Sequence, residues 1–145
     1  MGAEHEAAVR EFFAAMEGEE WDAARLDRML SKLAPNARHH TYAWEEPHVG
    51  HDAIRAEWTR QASLFRDCQE EIVTIGSFGS TVFTERLDVI TIPINDTRVA
   101  LHIASVFEMN SDCKITLWRD YGDREEVAAA LRQKAASESP TDSAP

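Results

Sequence analysis

The sequence has few cysteines, few basic residues and no long hydrophobic run. Its two cysteines, Cys68 and Cys113, are isolated and form no Cys-x-x-Cys motif, so we expect reduced, inert thiols. Lys and Arg total 15 against 26 Asp and Glu, which gives a net charge of −11. This charge argues against nucleic acid and anionic membranes as partners, because both require a basic surface. No stretch approaches the roughly 18 apolar residues that a membrane span requires.

The first residues also lack the apolar run of a secretory signal, since MGAEHEAAVR is charged. Together with the reduced cysteines, this favours a cytoplasmic protein that binds small molecules or another copy of itself. The length of 145 residues predicts a single domain, over residues 1–136, that is large enough to bury a core and hold a pocket. The polar stretch at residues 137–145 should be disordered.

Hydrophobic residues at helical spacing predict three helices in the first half of the chain. They are expected over about residues 3–18, 21–33 and 52–65. The apolar stripe of the first helix is Val9, Phe12, Phe13 and Met16. Pro35 and Asn36 should end the second helix, and Asp52 is the expected N-cap of the third. Between these two helices, residues 38–43 have extended character and residues 45–50 are typical of a loop.

After Arg66 the hydrophobic pattern changes to period 2, which predicts four strands joined by short turns. The strands are expected over about residues 69–77, 81–92, 98–109 and 114–121. Short turns between successive strands imply an antiparallel meander. A last helix is expected over about residues 124–134. These elements predict an α+β cone, in which a strongly curved sheet wraps around the N-terminal helices and leaves a cavity at its open end.

One predicted strand carries charges on a face that also carries apolar residues. In TVFTERLDVIT, residues 81–91, alternation puts Arg86 and Asp88 on the same face as Val82 and Ile90. A buried charge is costly unless it is paired, and Arg86 can pair with Asp88. Asp120 follows in KITLWRDY, and a curved sheet could bring it to the same cavity. The alternative is a surface ion pair, which contributes under about 1 kcal/mol.

These motifs resemble those of the limonene-1,2-epoxide hydrolase family. Its members share a nuclear-transport-factor-2-like (cystatin-like) cone with ketosteroid isomerases and SnoaL-like polyketide cyclases. The matching segments are VGHDAI at residues 49–54, VFTERLDV at residues 82–89 and SVFEMNSDCKITLWRDY at residues 105–121. The resemblance covers about residues 50–127. It implies a mixed, mainly antiparallel sheet and an enzyme with no cofactor and no metal, which adds water to a small apolar or cyclic epoxide in one step to give a vicinal diol.

The resemblance also implies a role for each residue of an Asp-Arg-Asp triad. Asp88 would be the general acid on the epoxide oxygen, Asp120 the general base that activates water, and Arg86 the group that holds both. The family also positions the water with a tyrosine and an asparagine, and counting back from Gly50 puts His40 and Tyr42 at those positions, which is a departure from the family. A shift of two would match Tyr42 to the tyrosine but put Trp44, whose indole can only donate, at the asparagine. The residues expected to bind substrate are Phe65, Ile90, Leu101, Ile103 and Trp118.

Structural alternatives exist for several of these residues. His40 could be a core histidine, and the apolar pocket residues could be ordinary core. Four histidines, His39, His40, His48 and His51, lie close together in the sequence. They belong to a strand and a loop, with His39 and His40 on opposite faces, so we expect no metal site.

Two other functions would suit the same predicted fold. One is an isomerase or cyclase acting on a steroid or polyketide-like substrate, with Asp120 or His40 moving a proton beside a carbonyl group. The other is a non-catalytic module that binds small molecules or supports dimerisation. The outward apolar residues of the charged strand are Phe83, Leu87 and Val89. If they are exposed, they predict a homodimer across the outer face of the sheet.

Overall fold

The structure is a computed structural model that describes residues 2–18, 20–126, 128, 129 and 132. Its elements are α1 (Gly2–Met16), α2 (Ala23–Leu30), β1 (Leu33–His40), β2 (His48–Val49), α3 (His51–Ala62), β3 (Arg66–Phe78), β4 (Thr81–Ile92), β5 (Thr97–Met109) and β6 (Ile115–Gly122). The last predicted helix is helical at its described positions, 124–126, 128, 129 and 132. Its other positions, and the predicted disordered tail, lie outside the described residues. No helix in the described part of the chain is long and apolar enough to cross a bilayer.

The strands form one mixed sheet with the order β2-β1-β6-β5-β4-β3. Strands β3 to β6 form the predicted antiparallel meander, and β1 adds to it in parallel alongside β6. Helix α1 packs against β3 and β4, while α3 packs against β1 and β2. The predicted α+β cone is therefore confirmed: a mainly antiparallel sheet wraps around the N-terminal helices.

The core forms where the apolar stripe of α1 meets the inner face of the sheet. Phe12 and Phe13 are at most 1% exposed, because their positions along α1 put them on the same helix face. The ring of Phe12 lies edge-on to Trp118, with centroids 5.1 Å apart, and Phe13 lies edge-on to Phe107 at 5.5 Å. The guanidinium carbon of Arg86 is 4.6 Å from the centroid of the Phe13 ring. This aromatic layer thus supports the charged part of β4.

The end of α2 differs from the sequence-based prediction. The helix begins after Asp22, whose side chain accepts the backbone N–H of Arg25 at 2.8 Å, and it ends at Leu30. Pro35 and Asn36 do not end this helix but lie inside β1. The register of β1 against β6 shifts around these two residues. A proline, which has no N–H to donate, is tolerated at such an irregularity.

The start of α3 also differs, because its N-cap is Gly50 and not Asp52. Gly50 has a φ of 87°, in the left-handed region that favours glycine, and its N–H donates to the carbonyl of Ala37 at 2.8 Å. Asp52 lies in the first turn, where a negative charge is favourable near the positive end of the helix dipole. The helix ends at Ala62 rather than near Phe65.

The outer face of the sheet carries exposed apolar side chains. The exposed fractions are 56% for Val73, 48% for Phe83 and 49% for Tyr121. Leu87 and Val89, which were predicted to face outward with Phe83, are partly buried. This outer face is where the predicted homodimer would form, and the homodimer itself stays a prediction.

Candidate active site

A cavity of about 790 Å³ opens between the inner face of the sheet and the helices. All five residues predicted to bind substrate line it: Phe65, Ile90, Leu101, Ile103 and Trp118. Trp21 also lines the cavity and packs edge-on against Phe65, with ring centroids 5.0 Å apart. The volume falls within the range of about 300–1,000 Å³ that is typical of small-molecule sites. These apolar residues therefore form the walls of a pocket as well as part of the core.

The buried polar end of the cavity, which we call the floor, is built around Arg86. The side chain of Arg86 is 1% exposed, and its Nε donates to Asp88 Oδ1 at 2.7 Å. Its Nη2 donates to Asp88 Oδ2 at 3.2 Å and to Asp120 Oδ2 at 3.3 Å, and its Nη1 donates to the hydroxyl of Ser105. Burial by itself would lower the pKa of Arg86, but the charges of Asp120 and Asp88 raise it. The three predicted residues thus meet inside the cone and do not form a surface ion pair.

Asp120 uses its two carboxylate oxygens differently. Oδ1 accepts hydrogen bonds from Ser105 Oγ at 2.5 Å and from Trp118 Nε1 at 2.6 Å. Among the described residues, Oδ2 has a single hydrogen-bond donor, Arg86 Nη2 at 3.3 Å. Burial raises the pKa of Asp120 above its ordinary value, while the charge of Arg86 and the hydrogen bond from Ser105 oppose this shift. Oδ2 is therefore the oxygen that is best placed to accept a proton from a bound molecule.

Glu70 is a third carboxyl group of the floor, and it was not among the residues predicted from the sequence. It lies directly opposite Asp88 across the β3–β4 ladder, and its Oε2 accepts from Arg86 Nε at 3.2 Å. Its side chain is 1% exposed, and the thiol of Cys68 donates to its Oε1 at 3.1 Å. Burial raises the pKa of Glu70 well above its ordinary value, and Asp88 raises it further. The signal in the sequence that could have placed Glu70 inside the cone is its alternation with Cys68 and Ile72 along β3.

His39 is a second residue of the site that was not predicted from the sequence. Its ring stacks on Trp118 with centroids 4.0 Å apart, and its Nδ1 accepts the indole N–H of Trp58 at 3.2 Å. Burial lowers the pKa of His39 to about 3, so the imidazole is neutral at neutral pH. A neutral ring that accepts at Nδ1 carries its proton on Nε2. This Nε2 has no hydrogen-bond partner among the described residues, and His39 lines the cavity.

Of the two residues predicted to position water, Tyr42 lines the cavity but His40 does not. The ring of Tyr42 lies beneath the guanidinium of Arg124, at 4.6 Å from its centroid. The Nδ1 of His40 lies 2.7 Å from the carbonyl oxygen of Glu45. Because side chains alternate along a strand, the burial of His39 turns His40 to the other face of β1. The histidine that faces the cavity is thus one position earlier than predicted.

Glu57 on α3 accepts hydrogen bonds from three polar residues that line the cavity: Thr41, Arg60 and Gln61. Burial by itself would raise the pKa of Glu57, but hydrogen bonds from Arg60, Thr41 and Gln61 lower it to about 2. The hydroxyl of Thr41 donates to Glu57 Oε2 at 2.6 Å. Thr41 lines the cavity two residues after His39, yet its proton is already engaged. Of His39 and Thr41, His39 is therefore the one whose donor has no partner among the described residues.

The fold and the site together define the class of protein. It is an α+β cone whose cavity ends in buried carboxyl groups that surround one arginine. The chain belongs to the SnoaL-like domain family, since the sequence model of that family matches residues 9–118.

Two proteins of known name are similar to this chain. Epoxide hydrolase EphG of Mycobacterium tuberculosis (strain ATCC 25618 / H37Rv) is 41% identical over 81 residues, which are 52% of this chain and 52% of that protein. The match thus spans about half the length of the curated relative. An LEH-like epoxide hydrolase of M. tuberculosis has a structure that matches with a TM-score of 0.73 and 25% identity, over 94% of this chain and 96% of that chain.

A further solved structure matches at the level of the fold. It is that of SalBIII, described as an epoxide hydrolase/cyclase-like enzyme in pyran ring formation in the polyether salinomycin. It has a TM-score of 0.71 and 19% identity, over 86% of this chain and 94% of that chain.

Proposed function

We propose that the protein is a cofactor-free epoxide hydrolase that adds water to an apolar epoxide in one step. The observation that carries this proposal is the meeting of Arg86, Asp88 and Asp120 at the end of an apolar cavity. An epoxide opens fastest when its oxygen is protonated as the nucleophile arrives, so the reaction needs an acid and a base in one site. The floor supplies both in a place with limited access to water.

In this proposal Asp88 is the acid and Asp120 is the base. Oδ2 of Asp120 takes one proton from the water as the water oxygen bonds to an epoxide carbon. At the same time the carbon–oxygen bond of the ring breaks and Asp88 gives its proton to the ring oxygen. Arg86 holds both carboxyl groups and stays charged throughout. Return of a proton from Asp120 to Asp88 completes the cycle.

His39 takes the water-positioning role that the resemblance implied for His40. Its Nε2–H can donate to a lone pair of the water while Asp120 accepts one of the water's protons. The second lone pair is then free to attack carbon. Tyr42, which also lines the cavity, remains the second residue proposed to orient the water or the substrate.

The walls and the charge of the floor define the substrate class. The walls are aromatic and branched aliphatic side chains, and the cavity of about 790 Å³ is large for a small epoxide. The floor brings more than one carboxyl group to a single guanidinium, so it disfavours an anionic substrate. We therefore propose a neutral, apolar epoxide with a bulky alkyl or cyclic group.

A panel of apolar epoxides in ¹⁸O-labelled water tests the proposal. We expect a vicinal diol that carries the label from the first turnover. Asp88→Asn and Asp120→Asn should each lower the rate by about 10²–10⁴-fold, because each removes one proton transfer. Asp112→Asn, in the exposed turn before β6, is the matched control and should leave the rate unchanged. Absence of any diol, or label in the protein after one turnover, would contradict one-step hydrolysis.

A second candidate is an isomerase or cyclase that moves a proton beside a carbonyl group. The observation in its favour is the free Nε2–H of His39, a neutral donor that could stabilise an enolate oxygen while Asp120 takes the proton. Steroid enones and polyketide-like substrates, assayed with the same variants, distinguish it from the hydrolase. Turnover of these substrates without turnover of epoxides would favour it. A non-catalytic binding module would instead bind ligands equally well with or without the two aspartates and turn none of them over.

A further inference from the structure

Glu70 and Asp88 share one hydrogen-bond donor. They face each other across the β3–β4 ladder, and Arg86 Nε donates to Glu70 Oε2 at 3.2 Å and to Asp88 Oδ1 at 2.7 Å. The two carboxyl groups therefore converge on one nitrogen of a single guanidinium. Two carboxylates offer only acceptors, so a hydrogen bond between them requires a proton on one of them.

The other groups around Glu70 do little to stabilise a second negative charge. From its own strand, Cys68 contributes a thiol, which is a weak donor, at 3.1 Å. The segment that follows α1 contributes another carboxylate, Glu17, whose Oε1 accepts the backbone N–H of Glu70 at 3.4 Å. Burial raises the pKa of Glu70 well above its ordinary value, which is consistent with a neutral carboxyl group in this position.

Arg86 cannot balance three carboxylates with one positive charge. Asp120 receives two further hydrogen bonds, from Ser105 Oγ and Trp118 Nε1, that stabilise its ionised form. Among the described residues, the only side chain other than Arg86 that donates a hydrogen bond to Glu70 or Asp88 is the thiol of Cys68. A proton bound in the floor is therefore held by this pair and not by Asp120.

We infer that Glu70 and Asp88 act together as the acid, with one proton held between them and delivered by Asp88 to the substrate oxygen. This inference rests on the proposed epoxide hydrolysis, in which Asp88 is the acid. During the step, the O–H bond of Asp88 breaks as an O–H bond forms on the ring oxygen. Glu70 is then a carboxylate that accepts from Arg86 and Cys68. It acts through Asp88, as a positioning residue for the proton.

The dependence of kcat/KM on pH tests this role. Glu70→Gln leaves one carboxyl group beside Arg86 where the wild-type protein has a pair, so the proton that the pair holds should be released at a lower pH. The alkaline limb of the profile should move down by about one pH unit or more, which lowers the rate above the limb by about tenfold per unit. Below the limb the rate should stay close to that of the wild type. A merely structural role would lower the rate at every pH without moving the limb.

Glu71→Gln is the matched control, since Glu71 is the next residue of β3 and is exposed. It should leave the alkaline limb in place. An unmoved limb in Glu70→Gln, with Asp88→Asn inactive, overturns the inference and leaves the proposed function standing. Inactivity of the wild-type protein toward every epoxide overturns the proposed function and this inference together.

Infrared spectroscopy of the full-length protein gives a second measurement that does not depend on turnover. The wild-type protein should show the carbonyl band of a protonated carboxyl group at neutral pH. In Glu70→Gln this band should disappear at a lower pH than in the wild-type protein, and Glu71→Gln should leave its pH dependence unchanged. Absence of the band from the wild-type protein overturns the inference, whether or not the variants fold.

Discussion

Replacing Ser105 with alanine separates the electrostatic role of a hydroxyl group from its contribution to stability. Ser105 is 2% exposed, and its Oγ accepts from Arg86 Nη1 and donates to Asp120 Oδ1 at 2.5 Å. Alanine leaves a guanidinium N–H buried without a partner, so we expect the free energy of unfolding to fall by about 1–3 kcal/mol. It also removes a hydrogen bond that favours the ionised form of Asp120, so the pKa of Asp120 should rise further.

The size of this second effect follows from the strength of the lost hydrogen bond. A hydrogen bond to a charged group contributes about 1.5–3 kcal/mol, and one pKa unit corresponds to about 1.4 kcal/mol. If Asp120 is the base, the acid limb of kcat/KM should therefore move to higher pH by about one to two units. Well above the limb, the rate should be close to that of the wild type.

The assay is kcat/KM on one epoxide from about pH 4 to pH 9, with urea unfolding on the same samples. Ser111→Ala, in the exposed turn between β5 and β6, is the control and should change neither quantity. A loss of stability with no movement of the acid limb would mean that Asp120 is not the group whose ionisation the rate reports. That result would refute its assignment as the base.

Three further predictions concern the rest of the fold. Burial lowers the pKa of His39 to about 3 from an ordinary value of about 6.5. Between these two pH values the unfolded chain binds a proton that the folded chain does not, so the free energy of unfolding should fall as the pH decreases from about 6.5 toward 3. Urea unfolding at several pH values should show a smaller decrease for His39→Phe, and an equal decrease would contradict the shift. Phe12 is fully buried between Phe13 and Trp118, so Phe12→Ala should lower the free energy of unfolding by about 3–5 kcal/mol, whereas an exposed control, Phe78→Ala, should change it little. The predicted homodimer should become a monomer in Phe83→Asp, as measured by light scattering; a wild-type protein that is already monomeric would rule it out.

The charged strand was the most predictable part of the molecule. The observed β4 has the predicted bounds, Thr81–Ile92, and Val82, Arg86 and Ile90 are buried as the alternation required. The pattern was informative because it is regular over many residues and the turns on both sides are short. Asp120 could be added because KITLWRDY was predicted to form another strand of the same meander, and because the family resemblance implied a role for this aspartate.

Glu70 and His39 could not be assigned because their faces depend on non-local pairing. Gln69, Glu70 and Glu71 are consecutive polar residues, so the alternation of Glu70 with Cys68 and Ile72 is not enough by itself to decide which of them points inward. The orientation of Glu70 follows from its position opposite Asp88 in the β3–β4 ladder. His39 is likewise oriented by the parallel pairing of β1 with β6, which the predicted meander did not include.

The parallel pairing of β1 with β6 has a consequence for how the protein is made. It joins residues near position 39 to residues near position 118, so His39 meets Trp118 only after the whole segment between them has been synthesised. A chain emerging from the ribosome can form the β3–β4 hairpin, with Glu70 opposite Asp88, well before that contact. Its cavity stays open along one side until β6 has left the exit tunnel. The cavity is therefore completed late, at the slow, long-range closure of the sheet by β6.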